Sequence, residues 1–277
     1  MPILTDAFRR QDASQGLRHR VSIVFFCGIA ALITGQSSAQ SFNLNSVDAN
    51  QFYVTEFASN LNFPVGMAEL SDGSLLVGVS NGSTFFGSNS GQILRLADTD
   101  GDGVAEQQTV VANSVPGGGL SALRVEGDLV FTTGQGRGKP ITIYRLGESP
   151  SDALTQLGEL AINYPGGGWL HPHSALATRP TPGNANGVDL FFQLGSRTNF
   201  DATSATVELT SDIGVSGTLA GDAIHMITVV DDGQSVSGQD LTQIATGLRN
   251  AAGMTFHPTT GDLYLQDNGI DLSLIHI

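Results

Sequence analysis

The sequence predicts an all-β protein with the architecture of a β-propeller, of which about four blades are present. Three observations support this prediction. A phrase of two short apolar strands around a tight turn occurs four times, at a spacing of about 50 residues in its first copies. Glycine, with 35 residues, interrupts the apolar runs together with Asn, Asp and Ser, as in proteins with many tight turns. After residue 45 no amphipathic helical pattern is evident.

Each copy of the phrase has a short strand, a turn with Asp, Gly or Asn, and a second strand rich in Leu, Val, Phe or Tyr. The copies begin at Gly66, Gly119, His173 and Gly253. A further strand follows the first three copies, in the segments GQILRLAD, PITIYRLG and DAIHMITVV. The step to the fourth copy is longer, and we interpret TSDIGVSGTLAGD as an insert. Such a period of short strands is typical of propeller blades, whereas a β-sandwich would not repeat a two-strand phrase at this spacing.

The number of blades leaves two alternatives, because a propeller must close into a ring to cover its strand edges. The chain is either a very small four-bladed ring or a truncated larger one, and its abrupt end favours truncation. Residues 272–277, LSLIHI, do not continue the pattern and are interpreted as a non-native tail. The partial propeller is therefore expected over residues 55–271, after a lead-in at residues 40–54.

The first 39 residues predict an export signal. Four arginines precede the apolar stretch from Val21 to Thr34, and Ser37 and Ala39 are placed for signal-peptidase cleavage. The stretch has about 14 residues, whereas a membrane span needs ~20, so a cleaved signal is favoured over the alternative of an uncleaved anchor. The protein is expected to be periplasmic or secreted, without stable membrane association after cleavage.

Charge and cysteine content exclude several functions. The net charge of −14 repels phosphate backbones and argues against nucleic-acid binding, but it suits a protein that binds divalent cations. The single cysteine, Cys27, lies within the predicted signal. The mature chain therefore offers no disulfide, thiolate nucleophile or cysteine metal site.

Short segments with glycines or polar residues stand at the start of three of the repeated phrases. These segments are PGGG (116–119), LHPHS (170–174) and GLRN (247–250). The inner strands of propeller blades open onto one face, so we expect His171, Arg249 and Asn250 to converge there and to supply a base, a cation and an amide. In the alternative interpretation Arg249 belongs to a structural turn and pairs with an acid such as Asp267.

The segments LNFPVGMAELSDGSLLVGVSNG…GQILRLAD and GLRNAAGMTFHPTTGDLYLQDNG resemble the soluble quinoprotein glucose/sorbosone dehydrogenases. The resemblance extends over about residues 55–271. It implies a six-bladed propeller that binds pyrroloquinoline quinone (PQQ) and Ca²⁺. The activity that it implies is oxidation of a sugar, or a related alcohol or aldehyde, by hydride transfer to PQQ, followed by reduction of an external electron acceptor.

The resemblance also implies roles for individual residues. His171, five positions before Leu176, corresponds to the catalytic base, and Arg249 and Asn250 correspond to the pair that contacts the quinone. Arg249 would offset negative charge on the quinone oxygen during the reaction.

The correspondence with the family's site residues is incomplete at four further positions. The backbone carbonyls of Gly269 and Ile270 would help to hold Ca²⁺, although the family's Pro is absent. Gly117 stands where the family places a quinone-contacting Gln, and Leu170 stands where it places an Asp. These departures favour a second hypothesis, a non-catalytic propeller that uses the same face to bind carbohydrate or protein.

A second, peripheral Ca²⁺ site is predicted in DTDGDGVAE. Asp98, Asp100 and Asp102 alternate, with Gly103 at the sharp bend, as in a calcium-binding loop. The twelfth position is Thr109, so the usual bidentate Glu is missing there. A plain Asp-Gly hairpin turn is the alternative.

Two other histidines, His173 and His257, belong to the repeated phrases. His171 and His173 could bind a metal together, but no third ligand is evident in the sequence. We interpret His173 as a loop histidine without a catalytic role, and His257 as a structural residue of a turn.

Overall fold

The protein has an all-β fold. The structure, a computed structural model, describes residues 19–23 and 52–269, apart from 117–118, 135–137, 167 and 200–204. The described residues contain no helix, and so no helical segment among them could cross a membrane. Gly117, Ile270, the predicted tail and most of the predicted signal lie outside the described residues.

The described strands form a small parallel pair and four antiparallel sheets. The parallel pair consists of β1 (His19–Ile23) and β2 (Phe52–Glu56). The first blade contains β3 (Gly66–Glu69), β4 (Leu75–Ser80), β5 (Ser90–Ala97) and β6 (Gln107–Pro116). The second blade contains β7 (Leu120–Glu126), β8 (Leu129–Gly134), β9 (Ile141–Arg145) and β10 (Thr155–Asn163).

The third blade is interrupted in sequence by a hairpin. It contains β11 (Leu176–Pro180), β12 (Gly187–Leu194), β15 (Ala223–Asp231) and β16 (Val236–Thr246). The interrupting hairpin consists of β13 (Thr206–Ser211) and β14 (Gly217–Ala220). The fourth sheet contains β17 (Ala251–Phe256) and β18 (Leu263–Asp267).

The four repeated phrases are the first two strands of the four sheets, as the sequence predicts. The segments GQILRLAD, PITIYRLG and DAIHMITVV contain the third strands β5, β9 and β15. The first strands β3, β7, β11 and β17 contact one another in that order. Because the inner strands of successive propeller blades are arranged in this way, the predicted fold class is confirmed.

The predicted insert forms strands that belong to a different blade. The β13–β14 hairpin lies between the second and third strands of the third blade, but β13 pairs with β10 of the second blade. The second blade thereby becomes a six-stranded sheet with the order β14-β13-β10-β9-β8-β7. Val207, Leu209 and Leu219 of the hairpin are buried in the core that the two blades share.

Hydrophobic side chains fill the space between successive blades. The largest cluster joins the second and third blades and includes Phe131, Ile143, Leu190, Phe192 and Ile227, each with 0% of its surface exposed. A second cluster joins the first and second blades, and another joins the third blade to β17 and β18. The second strands β8 and β12 are buried at every residue, which agrees with the apolar runs LVF in β8 and LFF in β12.

The inner strands approach too closely for a side chain at one repeated glycine. A Cβ atom on Gly66 of β3 would lie 2.8 Å from the backbone nitrogen of Leu123 on β7. The glycine that begins the first repeated phrase therefore allows the first two blades to pack against each other.

A buried carboxylate connects the strands of the third blade and orients a cation toward the fourth. Asp189 is 2% exposed and accepts hydrogen bonds from Arg179 Nε at 3.0 Å, Thr181 Oγ1 at 2.8 Å and Thr228 Oγ1 at 3.2 Å. The Arg179 guanidinium carbon lies 5.4 Å from the ring centroid of Phe256 on β17. A charged group that is buried to this degree has to be fully paired, and three donors meet that need.

We expect Asp189→Asn to lower the free energy of unfolding by about 2 kcal/mol, because an amide NH₂ takes the place of a buried oxygen that accepts hydrogen bonds. Asp72→Asn is the matched control, since Asp72 pairs with Arg95 but its side chain is 47% exposed. Asp72→Asn should lower the free energy of unfolding by under about 1 kcal/mol. Urea denaturation measures both, and equal losses would contradict a special role for the buried carboxylate.

Candidate functional site

Three loops from the third and fourth blades meet at one end of the inner strands. They are residues 170–174 before β11, residues 195–199 after β12, and residues 247–250 before β17. The antiparallel register of β11 and β12, with Leu176 opposite Phe192, brings the first two loops to the same end of the third blade. We call the meeting point of these three loops the loop junction.

The backbone of Ser196 connects the two predicted site residues. The His171 N–H donates to the Ser196 carbonyl at 3.0 Å, and the Ser196 N–H donates to the Arg249 carbonyl at 2.8 Å. His171 and Arg249, 78 positions apart in sequence, therefore lie on either side of a single residue. The structure brings them together at one face of the inner strands.

Gly195 leaves the space in which the loops meet. A Cβ atom at this position would lie 2.5 Å from the Arg249 carbonyl oxygen, 2.7 Å from His171 Cβ and 2.8 Å from Gln193 Nε2. Contacts this short with a backbone oxygen are forbidden, so only glycine permits this arrangement. Gly195 thus marks the centre of the loop junction.

Loop oxygens hold the side chain of Arg249. The residue is 8% exposed, and its Nε donates to the carbonyl and Oδ1 oxygens of Asn199, both at 3.0 Å. Its Nη1 donates to the Asn268 carbonyl at 2.8 Å. The guanidinium is thereby fixed between the end of β18 and the loop that follows β12.

The acid suggested by the sequence, Asp267, contacts the backbone of the Arg-Asn pair. Its two carboxylate oxygens accept the N–H of Arg249 at 3.3 Å and the N–H of Asn250 at 2.6 Å. Asp267 therefore fixes the conformation of the loop at the entrance to β17.

A buried amide also lies at the loop junction, and the sequence analysis did not identify it. Gln193 is 0% exposed, and its Oε1 accepts the Ser174 N–H at 3.0 Å. Its Nε2 has no hydrogen-bond partner among the described residues. The signal was present in the sequence, since Gln193 is the single amide in the otherwise apolar end of VDLFFQL.

The other predicted residues lie at the edge of the loop junction. Leu170 is 52% exposed, and its N–H donates to the Arg197 carbonyl at 2.8 Å. Gly269 is exposed and directly follows Asn268, whose carbonyl binds Arg249.

His173 lies in the loop before β11, as we predicted, and its side chain is buried there. It is 1% exposed, its Nε2 lies 2.5 Å from the Lys139 carbonyl, and its Nδ1 lies 2.7 Å from the Tyr164 hydroxyl. Since a carbonyl only accepts, Nε2 carries the proton, and Nδ1 accepts from Tyr164. No lone pair remains for a metal, so the pairing of His171 and His173 as ligands is not supported.

His257 has the structural role that the sequence predicts. Its Nδ1 accepts the backbone N–H groups of Thr259 at 3.2 Å and Thr260 at 3.1 Å. The ring therefore closes the turn after β17.

The predicted calcium loop contains a fourth carboxylate. Ligand atoms of Asp98, Asp100, Asp102 and Glu106 all lie within 4.8 Å of one another, so the cluster could hold a metal ion. Glu106 accepts from the backbone N–H and the hydroxyl of Thr99 at 2.7 and 2.9 Å, and the backbone bond lowers its pKa. Glu106, three residues before Thr109, could therefore supply the acid that is missing there.

Comparison with known proteins identifies the fold. The structure is similar to the PQQ domain of a pyranose dehydrogenase from Coprinopsis cinerea, with a TM-score of 0.53 and 15% sequence identity. The chain shares the propeller fold of that domain. The match covers 86% of this chain and 50% of the domain, so the chain spans about half of the domain's length.

A second similarity is weaker. The PQQ-bound aldose sugar dehydrogenase from Streptomyces coelicolor matches with a TM-score of 0.29 and 13% identity, over 76% of this chain and 89% of that enzyme. That TM-score is too low to support an argument. The sequence matches no protein-family model and no curated protein.

The stability of the fold should depend on pH through His173. Burial lowers the pKa of His173 from 6.5 to about 4, so the folded state keeps the ring neutral where the unfolded chain takes up a proton. Stability from this residue is complete above pH 6.5 and is lost as the pH falls toward about 4, by about 3 kcal/mol in total.

The variant His173→Gln removes this titration, so the difference in unfolding free energy between wild type and variant should shrink as the pH falls from 7 to 4. Urea denaturation at several pH values measures it. His257→Asn, at an exposed histidine, is the control. A difference for His173→Gln that stays constant with pH would refute the prediction.

The calcium prediction is tested with the double variant Asp100→Ala/Asp102→Ala. We expect calorimetric titration of wild type with Ca²⁺ to show one binding event that the double variant lacks, because two of the four carboxylates are removed. Asp128→Ala changes an exposed acid outside the cluster and should leave the event unchanged. Identical isotherms for wild type and the double variant would contradict the prediction.

Proposed function

We propose that the protein is a quinoprotein oxidoreductase that oxidises a sugar, or a related alcohol or aldehyde, at the loop junction. The observation that carries this proposal is the placement of His171 and Arg249 on either side of Ser196. A base and a buried cation thereby occupy one face of a fold that a PQQ domain also has. The fold alone would not support an activity, because one fold serves many functions.

The residues at the loop junction suit an anionic, oxygen-rich cofactor. The Arg249 guanidinium carries a positive charge, and Gly195 allows the loops that carry His171 and Arg249 to approach each other closely. Arg249 and Asn250 would hold PQQ, and the carbonyl of Gly269 would help to hold Ca²⁺ next to it. Carbonyl and carboxylate oxygens prefer such donors and such a charge.

The chemistry divides between the cofactor and the chain. Bound PQQ would supply a two-electron oxidant that accepts hydride from the substrate carbon. The His171 imidazole would remove the proton from the hydroxyl on that carbon, so the alcohol loses one hydride and one proton and becomes a carbonyl. Arg249, fixed by Asn199 and Asn268, would stabilise negative charge on a ligand oxygen without having to reorganise.

The second candidate is a propeller that binds carbohydrate or protein without catalysis. The exposed apolar side chain of Leu170 favours it, because the related dehydrogenases are expected to place an acid there. For both candidates we propose an extracytoplasmic location, on the strength of the predicted export signal.

Addition of PQQ and Ca²⁺ to the purified protein should change the absorbance spectrum of the cofactor, and the loaded protein should reduce a dye in the presence of aldoses. His171→Ala should lower the dye-reduction rate by about 10²–10⁴-fold while PQQ binding is retained, because only the proton acceptor is lost. His257→Asn serves as the matched histidine control.

Each outcome separates the candidates. A wild-type protein with no absorbance change on PQQ addition is not a quinoprotein. A protein that binds an aldose in calorimetry, with no dye reduction, would have the binding function instead. Full activity in His171→Ala would remove this residue from the catalytic role.

A further inference from the structure

Gln193 occupies an unusual position for an amide. It is the penultimate residue of β12, and its neighbours Phe192 and Leu194 are, like Gln193 itself, 0% exposed. The orientation of its amide is fixed, because the Ser174 N–H can only donate and therefore bonds to Oε1. The NH₂ group necessarily points the other way.

That NH₂ group has no acceptor among the described residues of the chain. A buried amide donor without a partner costs about 1–3 kcal/mol. Methionine or leucine would fill the same volume in this apolar strand without that cost. A buried amide with this energetic cost calls for a role outside the packing of the core.

The unsatisfied nitrogen lies at the centre of the loop junction. It is 2.8 Å from the point that a Cβ on Gly195 would occupy, and His171 Cβ and the Arg249 carbonyl are 2.7 and 2.5 Å from that same point. The nitrogen is therefore next to the predicted base and to the loop that carries the predicted cation.

We propose that Gln193 is a ligand-binding residue of this site, which donates a hydrogen bond from Nε2 to a carbonyl or carboxylate oxygen of the quinone cofactor. The inference rests on the proposed function. An NH₂ group can only donate, so its partner has to be an acceptor oxygen. Arg249 on the other side of Ser196 favours the same kind of oxygen, since both groups stabilise negative charge.

Two substitutions at this position test the inference. Gln193→Glu keeps the acceptor for the Ser174 N–H and replaces the donor by an oxygen, whereas Gln193→Met removes both polar atoms. Both variants should bind PQQ at least about tenfold more weakly than wild type in a spectroscopic titration, the loss expected for one hydrogen bond to a charged acceptor. Gln108→Met, at an exposed glutamine of β6, is the control and should bind as wild type does.

A third measurement needs no substitution at the site. In wild-type protein labelled with ¹³C and ¹⁵N, the side-chain NH₂ signal of Gln193 is assigned through the carbons to which it is bonded. Addition of PQQ should shift that signal and slow its exchange with solvent. This measurement decides the question if either variant fails to fold.

A failure of the Gln193 inference can be distinguished from a failure of the proposed function. If wild type binds PQQ and both folded variants bind it within about twofold of wild type, Gln193 is not a ligand-binding residue and the proposed function stands. An unchanged Gln193 signal in PQQ-loaded wild type leads to the same conclusion. If wild type does not bind PQQ at all, the proposed function and this inference fall together.

Discussion

Two backbone hydrogen bonds of Ser196, one to His171 and one to Arg249, hold the loop junction together. The loops carry the polar groups, but the packing of β11 against β17 sets the separation of His171 and Arg249, because the loops of these two residues lead into those inner strands. Gly195 is the accompanying constraint, since any larger residue would push its neighbours apart. A rigid arrangement of sheets thus positions chemistry that resides in loops, as is usual for binding sites in proteins.

The fold was largely predictable from the sequence, because a strand, a tight turn and a second strand are encoded by neighbouring residues. The pairing of β13 with β10 was not, since it joins Leu209 to Ile162, which lies 47 residues earlier and carries no local signal for its partner. At the site, polar residues before strands predicted the approach of His171 and Arg249. The sequence could not reveal whether Asp267 would bind a side chain or a backbone, and the structure has it on the backbone.

Two site residues were missed for different physical reasons. Glu106 was missed because the usual calcium-binding loop has its last acid at the twelfth position. In this structure the chain folds back so that Thr99 donates hydrogen bonds to the Glu106 carboxylate. Gln193 was missed because a polar residue in an apolar strand is easily taken for part of the core. Its half-satisfied amide becomes apparent only when the hydrogen bonds around it are traced. The similarity to a PQQ domain at 15% identity supplies the fold, and these side chains supply the chemical argument.

The β13–β14 hairpin determines the order in which the protein can be assembled. The second sheet receives its two outermost strands only after β11 and β12 of the third blade have been synthesised. During synthesis the free edge of β10 therefore stays open until the ribosome has passed residue 220. Once in place, the hairpin links the third blade to the second through paired strands. The outermost edge that remains, β14, has only four residues with which a foreign strand could pair.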